Sequence, residues 1–137
     1  MPNNEKSNFQ DRREYFRINF KTPLEFKIYP SKPLSETQKG SSQNISQSGI
    51  LFQVDSRPPQ LSSLVWMNLD IRTLSICKEI ERKALILKDG LVGKVVRVEE
   101  DADNQNAYDI GVCFLTQDQK DSREVKEILA ELGKSTK

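Results

Sequence analysis

Two short segments hold the residue types that can do chemistry. The first is Arg12-Arg13-Glu14-Tyr15-Phe16-Arg17. Arg13 and Arg17 are four apart, which puts both guanidiniums on one side of an extended chain, with Arg12 opposite them or freely placed ahead. The second is Asn44-Ile45-Ser46-Gln47-Ser48-Gly49. Asn and Ser side chains bond to nearby backbone and shape a turn, and a glycine at its end permits a positive φ or a close backbone approach. Guanidiniums pair with anions, and such a turn leaves amide and hydroxyl groups to face a ligand. With 8 Arg in 137 residues, an Arg-x-x-x-Arg pair arises about 0.5 times by chance and Asn-x-Ser-x-x-Gly about 0.07 times. The weight lies in the two together.

Other chemistries are missing. There is no histidine, which removes His-based triads, imidazole acid-base work and His-containing zinc sites. Cys77 and Cys113 stand 36 residues apart without C-x-x-C spacing and are expected as buried thiols rather than a redox or metal pair. Glu99 with Glu100, and Asp101 with Asp103, have no apolar neighbours to raise a pKa and are read as solvated charges. With no nucleophile, base or metal constellation, an enzyme is not expected.

The elements that must position the two segments are mostly strands. Ile18, Phe20, Leu24, Phe26 and Ile28 alternate with polar residues, and Pro23 marks an edge or a bulge in that strand. Pro30 to Gln43 is read as a loop. Ile50, Phe52 and Val54, then Val65, Met67, Leu69 and Ile71, give two more strands, with Arg57-Pro58-Pro59 turning the chain between them. Residues 72–83 stay open between a short helix, for which Leu74, Cys77 and Ile80 have the spacing, and an irregular hairpin. Ala84 to Leu87 and then Val92, Val96 and Val98 form a hairpin around Asp89-Gly90. After a polar loop from Glu99 to Asn106, Tyr108, Ile110, Val112 and Phe114 close the series at six strands. Val125, Ile128, Leu129 and Leu132 line one stripe of a final helix, with a capping box at Thr116 and Gln119 and a stop at Gly133. Trp66 and the aromatics in phase with the core are packing residues. The expected architecture is an all-β, six-stranded antiparallel barrel whose open end the C-terminal helix plugs.

Length and charge agree with one domain. The 137 residues are 30% charged and 36% hydrophobic, with a net charge of +1. Along the chain the charge is uneven: +6 over residues 1–98, −7 over 99–131 and +2 over 132–137. Residues 1–11 read as a flexible polar tail and 12–133 as the folded domain. No run approaches the roughly 18 apolar residues of a membrane span, and the start lacks the apolar stretch of a secretory signal. A cytoplasmic location without membrane insertion is expected. The acidic block opposes binding of DNA or RNA.

Taken in order, the two motifs resemble the signature of the PilZ domain family, Arg-x-x-x-Arg followed by [Asp/Asn]-x-Ser-x-x-Gly. Arg13 and Arg17 match the first half, and Asn44, Ser46 and Gly49 the second. Val96-Arg97-Val98 and Tyr108-Asp109-Ile110-Gly111-Val112-Cys113-Phe114 look like the family's late strands, so the resemblance covers about residues 12–132. Asn44 stands where Asp is commoner, and the poorly patterned 72–83 stretch reads as an insertion. The resemblance implies a six-stranded barrel with a terminal helix that binds cyclic dimeric GMP (c-di-GMP), with no other cofactor and no metal. Arginine suits that ligand, because it pairs bidentately with phosphate or with the guanine O6 and N7 edge and stacks on the ring. By the same resemblance, Arg12, Arg13 and Arg17 clasp the nucleotide from the tail side. Asn44 offers a donor and an acceptor, Ser46 a hydroxyl, and Gly49 a turn that admits the ligand. The expected function is that of an effector or adaptor that changes conformation on binding c-di-GMP and signals through contacts with an unidentified protein partner. The alternative is an interaction module of the same fold without nucleotide binding.

Overall fold

The computed structural model describes residues 18–29, 37–55, 57–72 and 74–135. Arg12, Arg13, Arg17 and the 1–11 tail lie outside the described residues. In chain order the elements are β1 (Ile18–Asn19), β2 (Pro23–Tyr29), β3 (Gln38–Ile45), β4 (Gly49–Val54), β5 (Leu64–Asn68), α1 (Cys77–Lys83), β6 (Ile86–Leu87), β7 (Gly90–Asp101), β8 (Asn104–Phe114), a one-turn 3₁₀ helix (Gln117–Gln119) and α2 (Arg123–Ser135).

Six of these strands close into an antiparallel barrel in the order β3-β2-β5-β7-β8-β4, with β4 returning to pair with β3. The short β1 and β6 are additions to β3 and β7. Alternation explains the closure: Leu24, Phe26, Phe52, Val54, Val65, Met67, Leu91, Val95, Ile110 and Val112 all turn into one buried interior. At its centre the rings of Phe26 and Phe52 meet tilted, with centroids 5.1 Å apart.

Several expectations need correcting. Gln38 to Gln43, read as the end of a loop, belongs to the strand Gln38–Ile45, because β2 and β4 pair with it from either side. The segment left open contains α1, whose Ile80 enters the barrel interior together with Ile71, Leu74 and Cys77. It is therefore this segment that fills the interior alongside the strands. α2 instead lies on the outer wall, where Val125, Ile128 and Leu132 cover Leu64, Val92 and Leu115 and pack with Tyr29 and Trp66. The Tyr29 hydroxyl donates to the Glu127 carboxylate across that contact. The capping box at Thr116 and Gln119 is present, but it serves the 3₁₀ turn. α2 has its own cap, the Ser122 hydroxyl accepting the Val125 N–H at 3.3 Å, and it runs past Gly133 to Ser135.

Two hairpins also differ from the reading. The polar loop from Glu99 to Asn106 shrinks to Ala102-Asp103, because β7 extends to Asp101 and β8 starts at Asn104. The hairpin near Asp89-Gly90 has Lys88 and Asp89 at its tip, both with positive φ (50° and 66°), the backbone of a type I′ turn. Within β7 Val96 is 52% exposed, and a register shift between Val95 and Arg97 changes the phase after it, so that Val98 packs toward the interior and Arg97 stays outside. The cysteines are not the buried thiols expected: Cys77 is half-buried, Cys113 is exposed and both are free. Burial pushes the Cys77 thiol up from its ordinary pKa.

Candidate functional site

The Asn44 to Gly49 motif forms the junction of β3 and β4. Asn44 and Ile45 end β3, opposite Leu51 and Ile50. The Ser46 N–H donates to the Gly49 carbonyl at 2.8 Å, so Gln47 and Ser48 are the tip of a tight hairpin. The tip is in turn fixed to the barrel, because the Ser48 carbonyl accepts the Phe114 N–H at 2.8 Å.

Inside this turn the motif residues work mainly on the backbone. Ser46 is 1% exposed. Its Oγ accepts the Ser48 N–H at 3.3 Å and lies 3.5 Å from the Gly49 carbonyl and 3.4 Å from the Ser48 hydroxyl. The hydroxyl that the sequence points toward a ligand is engaged within the turn. Gly49 pairs with Cys113, and a Cβ there would stand 2.4 Å from the Val112 carbonyl oxygen. Its φ is not positive, so of the two reasons for a glycine it is the close approach that applies, and what approaches is β8.

The half-buried Asn44 has a second neighbour. β1 runs antiparallel to the end of β3, with Ile18 opposite Ile45 and Asn19 opposite Asn44. Arg17 is bonded directly to Ile18. The described structure thus gathers Asn44, Ser46 and Gly49 into one hairpin and brings alongside it the strand that follows the arginine segment.

Register adds residues that sequence reasoning missed. Ser48, exposed at the tip, belongs to the quoted motif segment but not to its signature positions. On the outer wall, Gly49, Cys113 and Lys94 lie in one cross-strand row and Leu51, Gly111 and Arg97 in the next. The Arg97 stem crosses Gly111, where an added Cβ would stand 3.1 Å from the Arg97 Cβ. Arg97 pairs with Glu99 at 2.8 Å, and that hydrogen bond raises the Arg97 pKa and lowers that of Glu99. The only signal for these cations is their place in the ladder, which composition does not reveal.

A different groove, of about 560 Å³, lies between the end of β5, α1 and the β6–β7 hairpin. Asp70, Glu81 and Asp89 line it together with Arg72. Arg72 is already paired with Asp70 at 2.8 Å, and its hydrogen bonds hold the Asp70 carboxyl well below the usual carboxylate range. Three carboxylates against one neutralised guanidinium make this groove a poor place for an anion. Among the described residues no group of three or more Cys, Asp or Glu side chains is placed to hold a metal ion, and no helix is long and apolar enough to cross a membrane.

A closed antiparallel barrel, an added strand beside its Asn-x-Ser-x-x-Gly hairpin and a helix laid on the outer wall define a small β-barrel whose candidate site lies at that hairpin. The family profile of the PilZ domain matches residues 11–131, and the chain belongs to that family, whose members often bind c-di-GMP. Comparison with curated protein sequences returned no match. Among solved structures it is similar to the Bacillus subtilis inhibitor of motility MotI/DgrA, with 18% identity and a TM-score of 0.53, over 91% of this chain and 54% of that one. It is also similar to K. pneumonia MrkH in its c-di-GMP complex, with 16% identity over 94% of this chain and 56% of that one and a TM-score of 0.46. A third is the PilZ domain of Escherichia coli YcgR with c-di-GMP, with 14% identity over 89% and 88% of the two chains and a TM-score of 0.45. The chain spans about half the length of the MotI/DgrA and MrkH chains.

Proposed function

We propose that this chain is a c-di-GMP-binding effector or adaptor, acting in the cytoplasm without catalysis and signalling through contacts with a protein partner. The observation that carries the proposal is the pairing of Ile18 with Ile45 and of Asn19 with Asn44. That register sets Ile18, the residue directly after Arg17 in the chain, against the end of the Asn-x-Ser-x-x-Gly hairpin, although 26 residues lie between Arg17 and Asn44 in sequence. In this proposal Arg13 and Arg17 take phosphate oxygens or guanine edges, with Arg12 adding a third cation. Asn44 and the exposed tip at Ser48 contribute polar contacts, while Ser46 and Gly49 keep the hairpin in shape.

One observation favours the alternative of a PilZ-fold interaction module without a nucleotide site: the Ser46 hydroxyl is buried and engaged. Calorimetric titration separates the two. Wild-type protein should bind c-di-GMP in preference to GMP and cyclic di-AMP. Arg13→Ala and Arg17→Ala should each weaken binding about ten-fold or more, because a charge-assisted hydrogen bond contributes about 1.5 to 3 kcal/mol. Thermal unfolding of both variants should match wild type. Unchanged affinity in the double variant ends the nucleotide reading.

A further inference from the structure

The chain leaves regular pairing between β1 and β2. Asn19 faces Asn44 and Pro23 faces Ser41, so the three residues 20–22 stand opposite only two, Ser42 and Gln43. Such a mismatch strands backbone groups that the ladder would otherwise satisfy, and Pro23 has no N–H to offer. Ser42 meets the need. Its own N–H donates to the Thr22 carbonyl at 2.9 Å. Its Oγ accepts the Thr22 N–H at 2.9 Å and donates to the Phe20 carbonyl. Next to it, the Phe20 N–H donates to the Gln43 carbonyl at 3.1 Å and Lys21 Nζ to the Gln43 side chain at 3.0 Å.

The Ser42 side chain has 0% exposure. Polar side chains are rarely buried so completely unless their hydrogen bonds are made, and here one hydroxyl makes two, both to the crossing at residues 20–22. No alanine, valine or cysteine could reproduce that pair of bonds.

We propose that Ser42 is a positioning residue for the nucleotide site: its hydroxyl fixes the crossing at residues 20–22, keeps β1 beside Asn44 and Ile45, and so sets the arginine segment against the hairpin. This inference rests on the c-di-GMP reading above. Being buried, Ser42 touches no ligand and acts through β1.

The test combines calorimetry with amide exchange on wild type, Ser42→Ala, Arg17→Ala and the double variant. Ser42→Ala should weaken c-di-GMP binding about ten-fold. In the Arg17→Ala background it should cost less than in wild type, because one of the groups it positions is gone. Without ligand, amides 18–22 of Ser42→Ala should exchange faster while β7 and β8 keep wild-type protection. A residue that merely stabilised the barrel would speed exchange in β7 and β8 as well. If Ser42→Ala does not fold, Ser42→Cys, close in volume and weak in hydrogen bonding, is read in the same way. Wild-type affinity in the folded variant, or a loss that adds in full to that of Arg17→Ala, overturns the inference while leaving the nucleotide reading intact. A wild-type protein that does not bind c-di-GMP overturns the nucleotide reading, and the inference with it.

Discussion

Gly49 separates what a motif residue does for the fold from what it does for a ligand. A side chain there would press on the Val112 carbonyl oxygen of β8, a backbone atom that cannot swing aside. Gly49→Val should therefore destabilise the protein by about 1 to 3 kcal/mol, the usual cost of overpacking, seen as a lower denaturation midpoint. Loss of nucleotide binding in that variant would follow from the damaged hairpin and would say little about direct contact. Ser48→Ala, at the exposed tip, is the cleaner probe, because surface substitutions usually stay within about 0.5 kcal/mol of wild-type stability. A Gly49→Val protein with wild-type stability would contradict the close approach of β4 and β8. At this scale the turn from Asn44 to Gly49 was legible, since the spacing that makes it is a local property of the chain. Ser42 was not, because its importance comes from a register mismatch 20 residues away in sequence. The same is true of Lys94 and Arg97, whose place on the wall depends on which strand lies next to β8.

Elements with strong alternation were readable, and elements made by their neighbours were not. β4 and the interior face of β8 followed directly from period-two patterns. β3, with the sequence QKGSSQNI, has almost no apolar face of its own and is a strand because β2, β4 and β1 all pair with it. The β6–β7 hairpin was legible apart from its tip. Gly90 follows the turn and lies under Trp66: an added Cβ would stand 2.3 Å from the indole ring, and the ring N–H donates to the Leu87 carbonyl at 2.6 Å. Gly90→Ala should push the indole off that carbonyl and loosen α2, which packs with Trp66 on the outer wall. The expected readout is a red-shifted Trp66 emission with a lower melting temperature. Since this chain has a single tryptophan, the signal is unambiguous, and an unmoved emission maximum would show that the indole is not held as described.

Over the whole molecule, charge follows the barrel's length. Glu99, Glu100, Asp101 and Asp103 lie at the β7–β8 hairpin, where Asp101 and Asp109 share the Gln53 side-chain amide. The Asn44 to Gly49 turn meets β8 at the other end, opposite Cys113. Along β8 the separation runs from four residues for Glu99, which faces Asp109, to nine for Asp101, which faces Asn104, or about 13 to 30 Å, more than one Debye length at physiological salt. The carboxylates of the β7–β8 hairpin are therefore largely screened from an anion at the turn, and the net charge of +1 does not reveal where they lie.

That separation bears on how much ligand the site can hold. Two guanines and two phosphates per c-di-GMP allow a pair of molecules to interleave their bases, which gathers four phosphates in one place and calls for more cations than Arg13 and Arg17 supply. Arg12, directly before the signature arginine, provides a third guanidinium able to pair with phosphate or stack on a guanine face. The proposal therefore carries a stoichiometry of two ligand molecules per chain. Calorimetry on wild type should give a ratio near two, and Arg12→Ala should lower it toward one while keeping appreciable affinity, since Arg13 and Arg17 still hold the first molecule. Because the second molecule is held by base stacking and one guanidinium, against two guanidiniums for the first, and salt screens the repulsion among the four phosphates, the second binding step should weaken less steeply with added salt than the first. A wild-type ratio of one, unchanged by Arg12→Ala, would refute the interleaved pair and leave Arg12 outside the site, with single-nucleotide binding untouched.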